Sequence, residues 1–316
     1  MKILSITKKE KEFPIISFFR TLIQLISFIF INFIALETIF HIDLSIFKEY
    51  VLAFPFLQTP RDVWSNGAGM LEFILYSIGR GEFPYFLVGL LFLILLSTSR
   101  FFCGWICPVG FFEDLISNLP KKPRKMKIET DKSLKKVKFW IIGFVVIVLF
   151  SLGVVKNINF TLWIDWSSTI GGFMDRPLAS FSLSEFLFYT IPEGIKQAWQ
   201  NANINFLFEN IWKILSFIFY MIIIIISFYY PRFYCRVLCP YGGVAAFISE
   251  YSFIRFSRNP VKCVGRRECG ICEKVCPMQI RILDEPFEGF SGNGECIMCG
   301  RCKEICPYDA INLSLL

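Results

Sequence analysis

The stretch that decides the fold is RFFCGWICPVGFFEDLIS, residues 100–117, which recurs as RFYCRVLCPYGGVAAFIS, residues 232–249. Arg, Phe, Cys, Cys, Pro, Gly, Ile and Ser stand in the same register in both copies, and each copy follows a long apolar run. The sequence therefore predicts a unit of two membrane spans and one C-x3-C-P motif. The unit is used twice in the same orientation, which brings both motifs to one side of the membrane.

Four windows are long and apolar enough to cross a bilayer, which takes roughly 17–25 helical residues. They cover residues 21–40, 83–99, 139–155 and 211–230. The chain is 54% hydrophobic and 19% charged, whereas soluble domains carry about 25% charged residues. We therefore expect an all-α membrane protein with four transmembrane helices. Two apolar segments outside these windows, 68–79 and 181–191, either lie on the outer membrane surface or pack against the spans.

The distribution of positive charge predicts the orientation, because Lys and Arg concentrate in cytoplasmic loops. Residues 1–20 carry five Lys or Arg and residues 121–138 carry nine, whereas the loops that follow spans one and three carry three each. We expect a multi-pass protein of the inner (cytoplasmic) membrane with both termini in the cytoplasm. Residues 1–20 are then a cytoplasmic tail, 21–250 the membrane domain and 251–316 a cytoplasmic domain.

The C-terminal cysteines have the spacing of iron–sulfur proteins. Cys296, Cys299, Cys302 and Cys306 with Pro307 form C-x2-C-x2-C-x3-C-P, and the upstream motif differs only in a longer first gap. In two-cluster ferredoxins the fourth cysteine of each motif binds the other cluster. The predicted ligand sets for two [4Fe–4S] clusters are therefore Cys263, Cys269, Cys272 and Cys306, and Cys276, Cys296, Cys299 and Cys302. A structural zinc site is the alternative, but the doubled Cys-Pro ending favours a two-cluster ferredoxin-like α+β domain.

The two C-x3-C-P motifs supply the remaining four cysteines, Cys103, Cys107, Cys235 and Cys239. Residues at i and i+4 of a helix share one face, so each motif is expected to present two thiols. Three roles remain open, namely a third [4Fe–4S] cluster at the membrane surface, a redox-active dithiol, and packing as small apolar side chains. Arg100 and Arg232 would place positive charge beside the thiols and favour their ionised form.

Composition excludes several other classes of protein. The 12 cysteines all lie in these motifs, which suits metal centres in a reducing compartment better than disulfides. The net charge of +7 does not count ligating thiolates, so we do not interpret it as nucleic-acid binding. His41 is the only histidine, which excludes a bis-histidine haem within the chain, and we expect it to be solvated rather than to contact a quinone.

With these motifs, the chain resembles the membrane-bound polyferredoxin family. Its members include NapH-type quinol dehydrogenase subunits, the C-terminal membrane part of NosR-type proteins and CcoG-type oxidase-assembly proteins. CGWICPVG, CRVLCPYG and the two ferredoxin motifs carry the resemblance, which covers nearly the whole chain. It implies four spans, cytoplasmic clusters, and electron passage between quinol and a redox partner.

A chain with clusters and no recognisable substrate pocket is expected to conduct electrons, because the cofactor supplies the chemistry and the protein sets its position and potential. The leading hypothesis is electron transfer between the quinone pool and a redox partner subunit of a reductase or dehydrogenase complex. Membrane lipid and an exchangeable quinone are its small-molecule partners, and no residue is assigned a catalytic role. The alternatives are a maturation factor that supplies electrons for metal-cofactor insertion, and a docking subunit of a larger respiratory complex.

Overall fold

The computed structural model describes residues 14–31, 69–120, 124–192, 194–195 and 211–315, and these residues are mostly helical. In chain order the α-helices are α1 (Ile15–Ile31), α2 (Met70–Gly79), α3 (Tyr85–Thr98), α4 (Phe101–Trp105), α5 (Pro108–Ser117), α6 (Ile128–Lys135), α7 (Val137–Ile158), α8 (Phe160–Ile170), α9 (Gly172–Asp175), α10 (Leu183–Glu185), α11 (Ile211–Tyr229), α12 (Phe233–Val237), α13 (Pro240–Ser249), α14 (Gly265–Glu268), α15 (Ile271–Val275) and α16 (Arg301–Glu304). The strands are β1 (Ile254–Arg258) and β2 (Ile311–Leu315). A π-helical turn covers Phe186–Thr190, and 3-10 turns cover Ala179–Phe181 and Ile282–Asp284.

Helices α1, α3, α7 and α11 stand at the four predicted windows. The window at 21–40 began after the charged Arg20, but α1 already begins at Ile15 and buries Arg20, while residues 32–40 lie outside the described part of the chain. Within the described residues, one continuous helical stretch, Ile128–Ile158, is long and apolar enough to cross a membrane, with a mean hydropathy of 2.5 over an 18-residue window. Helices α1, α2, α3 and residues Ile214–Tyr229 are apolar but shorter.

Each C-x3-C-P motif breaks its helix, so the expectation that its two cysteines share one helical face is wrong. Helix α4 ends at Trp105 and α5 begins at Pro108, with Cys107 in an extended conformation (φ −60°, ψ 121°). Helix α12 likewise ends at Val237 before α13 begins at Pro240. The cause is proline, which suits the first position of a helix and disfavours the helical conformation of the residue before it.

Contacts divide the chain into two compact units. Among the described residues, unit 1 comprises 14–24, 92–106 and 245–315, and unit 2 comprises 25–31, 69–91 and 107–244. The segment predicted as a separate domain, 251–316, therefore packs with two earlier pieces of the chain. The N–H of Ser17 donates to Glu304 Oε1 (3.1 Å), and the N–H of Phe253 donates to the carbonyl of Leu96 (2.9 Å).

A two-stranded sheet closes the C-terminal part of unit 1. Strands β1 and β2 are antiparallel, with Ile254 opposite Leu315 and Arg258 opposite Ile311. Phe290 extends the sheet through a bridge to Phe256, and the two rings stack with centroids 6.0 Å apart. Both cysteine motifs lie between these strands in the sequence, so the sheet joins the two ends of the cysteine-rich segment.

Unit 2 is built around the packing of α2 along α7. Gly153 of α7 lies so close to α2 that a Cβ there would be 2.3 Å from the carbonyl oxygen of Ile78. The indole N–H of Trp163 donates to the carbonyl of Gly79 (3.2 Å). The apolar segment at residues 69–79 therefore packs against a long helix.

The segment at residues 181–191 also packs inside unit 2. Leu183 and Phe186 are buried beside Tyr220 and Tyr234. The hydroxyl of Tyr234 donates to the carbonyl of Phe181 (2.8 Å) and accepts from the N–H of Leu183 (3.1 Å). For both apolar segments, packing is thus the alternative that the structure supports.

Candidate metal centre

The C-terminal cysteines lie on tight turns that left-handed residues make possible. Gly270 (φ 62°), Met298 (φ 52°) and Gly300 (φ 72°) each stand between two cysteines of a C-x2-C pair. A left-handed residue reverses the chain over a few atoms, and glycine does this without steric cost. The turns bring neighbouring cysteines of one motif around a common space rather than along an extended strand.

The two Cys-Pro endings have the same local structure. After Cys276-Pro277, the left-handed residue is Gln279 (φ 53°), and the N–H of Ile280 points at Cys276 Sγ (3.5 Å). After Cys306-Pro307 the left-handed residue is Asp309 (φ 45°), and the N–H of Ala310 points at Cys306 Sγ (3.4 Å). Each ending therefore supplies its cysteine sulfur with a backbone donor.

One cavity in unit 1 joins cysteines of both motifs. Cys276 of the first motif lines it together with three cysteines of the second, Cys296, Cys299 and Cys302. The rest of its wall is largely apolar and includes Phe256, Met278, Ile280, Ile282, Phe290 and Ile297. Four thiols around an apolar space are the donor set of a [4Fe–4S] cluster. Among the described residues, no three Cys, His, Asp or Glu side chains converge tightly enough to hold a single metal ion.

Burial controls the thiol pKa values in this cavity. Burial, together with the smaller effect of the neighbouring thiolates, raises the pKa of Cys296 to about 12 and that of Cys302 well above its usual value. The Arg100 guanidinium opposes the shift at Cys296, but less strongly than burial favours it. Iron binding would therefore have to supply the free energy that releases the protons.

The other predicted ligand set, Cys263, Cys269, Cys272 and Cys306, is more exposed than the first. Burial raises the pKa of Cys272 to about 11, and the nearby Cys263 and Cys306 add to the shift. Cys272 is buried, whereas Cys263, Cys269 and Cys306 are only partly buried. Arg258 donates to Cys263 Sγ across 3.7 Å. The structure therefore brings Cys263, Cys272 and Cys306 close to one another and places Cys269 one turn before Cys272.

Unit 2 gathers three of the four C-x3-C-P cysteines. Cys107, Cys235 and Cys239 belong to one cluster with Val109 and Tyr234. Burial raises the pKa of Cys235 well above its usual value, and the Glu113 carboxylate and the thiolates of Cys239 and Cys107 raise it further. The fourth cysteine, Cys103, is buried on α4 in unit 1.

A buried carboxylate that the sequence analysis missed holds the turn at Cys235. Glu113 accepts the N–H of Tyr234 (2.8 Å), the N–H of Cys235 (3.2 Å) and the hydroxyl of Ser227 (3.1 Å). Its neighbour Asp114 binds Arg232 through two bonds of 3.0 and 2.6 Å. The sequence did contain a sign that these two acids have a special role, because Glu113 and Asp114 stand where the second copy of the repeat has two alanines.

Comparison with protein families locates two iron–sulfur families on these residues. The "4Fe-4S binding domain" family matches residues 82–127 and 212–259, each of which contains one C-x3-C-P motif. The "4Fe-4S dicluster domain" family matches residues 262–311, which contain the eight C-terminal cysteines. These matches support the resemblance to the membrane-associated polyferredoxin family of 4Fe–4S electron-transport proteins. The resemblance inferred from the motifs is confirmed.

Curated relatives agree with that resemblance. Over 77% of its residues, the chain is 26% identical to YccM of Escherichia coli, which is described as an electron transport protein. It is 24% identical to the ferredoxin-type protein NapH of Haemophilus influenzae over 68%, and 23% identical to the regulatory protein NosR of Pseudomonas aeruginosa over 66%. The matched regions span 60%, 62% and 24% of those relatives. No solved structure matches the chain.

Proposed function

We propose that this protein transfers electrons between the quinone pool and a redox partner through [4Fe–4S] clusters at the cytoplasmic face of the inner membrane. The observation that carries the proposal is the apolar cavity lined by Cys276, Cys296, Cys299 and Cys302. It draws its thiols from both motifs, as the ligand exchange of two-cluster ferredoxins requires. A site of this kind handles single electrons and contains no group that transforms a substrate.

Two ligand sets follow from this arrangement. Cys276, Cys296, Cys299 and Cys302 hold one cluster, and Cys263, Cys269, Cys272 and Cys306 hold the other. The C-x3-C-P cysteines, Cys103, Cys107, Cys235 and Cys239, hold a third, for which the convergence of three of them within unit 2 is the support. When bound, such clusters each accept or release one electron. The chain's own residues exclude water from the cavity and direct backbone donors at Cys276 and Cys306.

The electron balance sets what the partners must do. A quinol that becomes a quinone releases two electrons and two protons, so two one-electron steps are needed for each quinol oxidised. The electrons leave toward a redox protein, and the protons leave the quinone site. The proposed topology has four spans, α1, α3, α7 and α11, with both termini cytoplasmic, because Lys and Arg are concentrated in residues 1–20 and 121–138.

Metal analysis and quinol reduction of the full chain in membranes test this function. Anaerobically purified protein should contain about twelve iron and twelve sulfide if every cysteine binds a cluster. Added quinol should produce the EPR signals of reduced clusters. Stoichiometric zinc without iron would overturn the proposal, and so would iron-loaded protein that dithionite reduces but no quinol does.

The C-x3-C-P cysteines provide the specific variants for this test. Cys107→Ala and Cys239→Ala should each remove about four iron and abolish quinol-driven reduction, while the C-terminal clusters remain reducible by dithionite. Wild-type quinol reduction in both variants would show that these cysteines are not on the electron path. A content of about eight iron in the wild type would remove the third cluster and leave the C-terminal pair.

A further inference from the structure

A backbone contact joins α4 to the loop that carries Cys296 and Cys299 within unit 1. The indole N–H of Trp105 donates to the carbonyl of Met298 (2.9 Å). At Gly104, an added Cβ would lie 2.1 Å from the carbonyl oxygen of Ile297. The peptide that follows Cys103 therefore touches the peptides between Cys296 and Cys299, and glycine at residue 104 is what allows this approach.

Polar contacts on both sides fix this junction. Arg100 and Glu295, whose side chains are 1% and 6% exposed, form an ion pair of 2.6 Å. Arg100 stands three residues before Cys103, and Glu295 immediately precedes Cys296. The side-chain amide of Gln24 donates to the carbonyl of Gly104 (2.9 Å). Gly294 lies against α13, where an added Cβ would be 1.8 Å from the carbonyl oxygen of Ala246. A loop held by a buried ion pair and close backbone packing has little freedom to separate from α4.

The two C-terminal cysteine sets differ in their relation to this junction. Cys296 and Cys299 flank the contacted peptides and are buried together with Cys302, whereas Cys276, the fourth member of this buried set, is partly buried. Cys263 and Cys269 belong to the other set and are partly exposed. Cys276 lines the cavity with Cys296, Cys299 and Cys302, and it directly follows α15, the helix that carries Cys272, so the two sets are neighbours. The order along unit 1 is thus α4, the buried set and then the partly exposed set.

We infer that Cys103–Trp105 is the junction through which electrons pass between the membrane motif and the C-terminal cysteines, and that the buried set of Cys276, Cys296, Cys299 and Cys302 is first on the C-terminal side. The inference rests on the proposed function. The partly exposed set, with Cys263 and Cys269, exchanges electrons with the redox partner. Gly104 and Trp105 are positioning residues, because they set the separation of the two cysteine-bearing segments and bind no cofactor themselves.

Two substitutions at the junction test its role. Gly104→Ala adds a methyl group against the carbonyl of Ile297, and Trp105→Phe removes the hydrogen bond to Met298 but keeps an aromatic ring to stack on Phe101. Gly143→Ala and Trp140→Phe are the matched controls. Gly143 has open space where a Cβ would be added, and Trp140 is 78% exposed on α7.

Both junction variants should slow quinol-driven reduction of the C-terminal clusters by about tenfold or more, because a small misplacement of reacting groups has a large effect on rate. Iron content and dithionite-driven reduction should remain those of the wild type. Hydrogen exchange of the amides at 294–299 should become faster in the junction variants and stay unchanged in the controls. Wild-type rates in Trp105→Phe, with its hydrogen exchange increased, would overturn the inference even if Gly104→Ala failed to fold.

A second pair of variants tests the order of the two sets. Cys299→Ala should prevent quinol from reducing the remaining C-terminal cluster, although dithionite still reduces it. Cys263→Ala should leave the remaining cluster reducible by quinol. The opposite result would reverse the order and overturn the inference. If quinol fails to reduce the wild-type protein, the proposed function itself is wrong, so the two failures are distinguishable.

Discussion

Buried charges are the residue-scale feature that composition does not reveal. Arg232 is fully buried against Asp114, and Arg100 is 1% exposed against Glu295. Both arginines occupy the same position of the repeat, one residue before the Phe of each motif, but their partners come from different parts of the chain. A buried charge is costly unless it is paired, so each arginine fixes the position of the segment that carries its carboxylate.

We expect Asp114→Asn to lower the free energy of unfolding by about 3–5 kcal/mol, because it leaves Arg232 buried without its counter-charge. Thermal unfolding of the purified protein in lipid nanodiscs would measure the change. Asp284→Asn is the control, since Asp284 is 47% exposed beside Arg266 and Arg281 and exposed pairs contribute little. Equal melting temperatures for the two variants would contradict the assigned role of the buried pair.

The sequence identified the cysteines but not the acids that position them. Cysteine spacing is a local signal, and the cavity formed by Cys276 and the second motif agrees with the ligand exchange expected from that spacing. Glu113 and Glu295 act on residues more than one hundred positions away. Nothing in the local sequence around an acidic residue specifies such a distant partner, so these contacts required the structure.

At the scale of elements, proline decides how the cysteine motifs are built. The i, i+4 spacing suggested one helix per motif, but Pro108 and Pro240 each begin a new helix. The rule that a residue before proline avoids the helical region was sufficient to predict this break from the sequence. The hydrophobic windows predicted the positions of the helices more reliably, because a helix lies at each window. The charged Arg20 made the first window begin at residue 21, whereas α1 begins at Ile15.

Close packing of α2 on α7 gives a prediction for this element pair. Gly153→Ala should lower the free energy of unfolding by about 1–3 kcal/mol, because the added methyl group meets the carbonyl of Ile78 and the backbone of Gly81. Gly143→Ala lies on the same helix with open space around it, and should be neutral or stabilising by up to about 1 kcal/mol. Thermal unfolding of both variants would show the difference, and equal shifts would argue against the helix contact.

At the scale of the whole molecule, the charge distribution predicts the orientation in the membrane. Reporter fusions at Lys125 and Leu316 should score as cytoplasmic and a fusion at Gly194 as external, because the positive loops stay inside. Fluorescent and alkaline phosphatase reporters at each position measure this directly. An external score at Leu316 would place the clusters in the other compartment and contradict the proposed route.

The domain organisation could be predicted only in part. The iron–sulfur families and the C-terminal cysteine-rich segment were visible in the motifs. The recruitment of residues 14–24 and 92–106 into unit 1 was not, because sequence gives no local sign that α1 and α4 will contact Glu304 and Met298. The sequence analysis instead placed residues 14–20 in the cytoplasmic tail, and residues 21–24 and 92–106 in the membrane domain.

The composition of unit 1 has a consequence for the biogenesis of the protein. One of its segments, 14–24, is synthesised long before β2, which must pair with β1. Because synthesis adds about 5–20 residues per second, Ser17 must wait until the segment that carries Glu304 has been made. The cysteines from Cys263 to Cys306 likewise come together only after residues 296–306 have been synthesised, so we expect iron and sulfide to be delivered after the helices of unit 2 have been made.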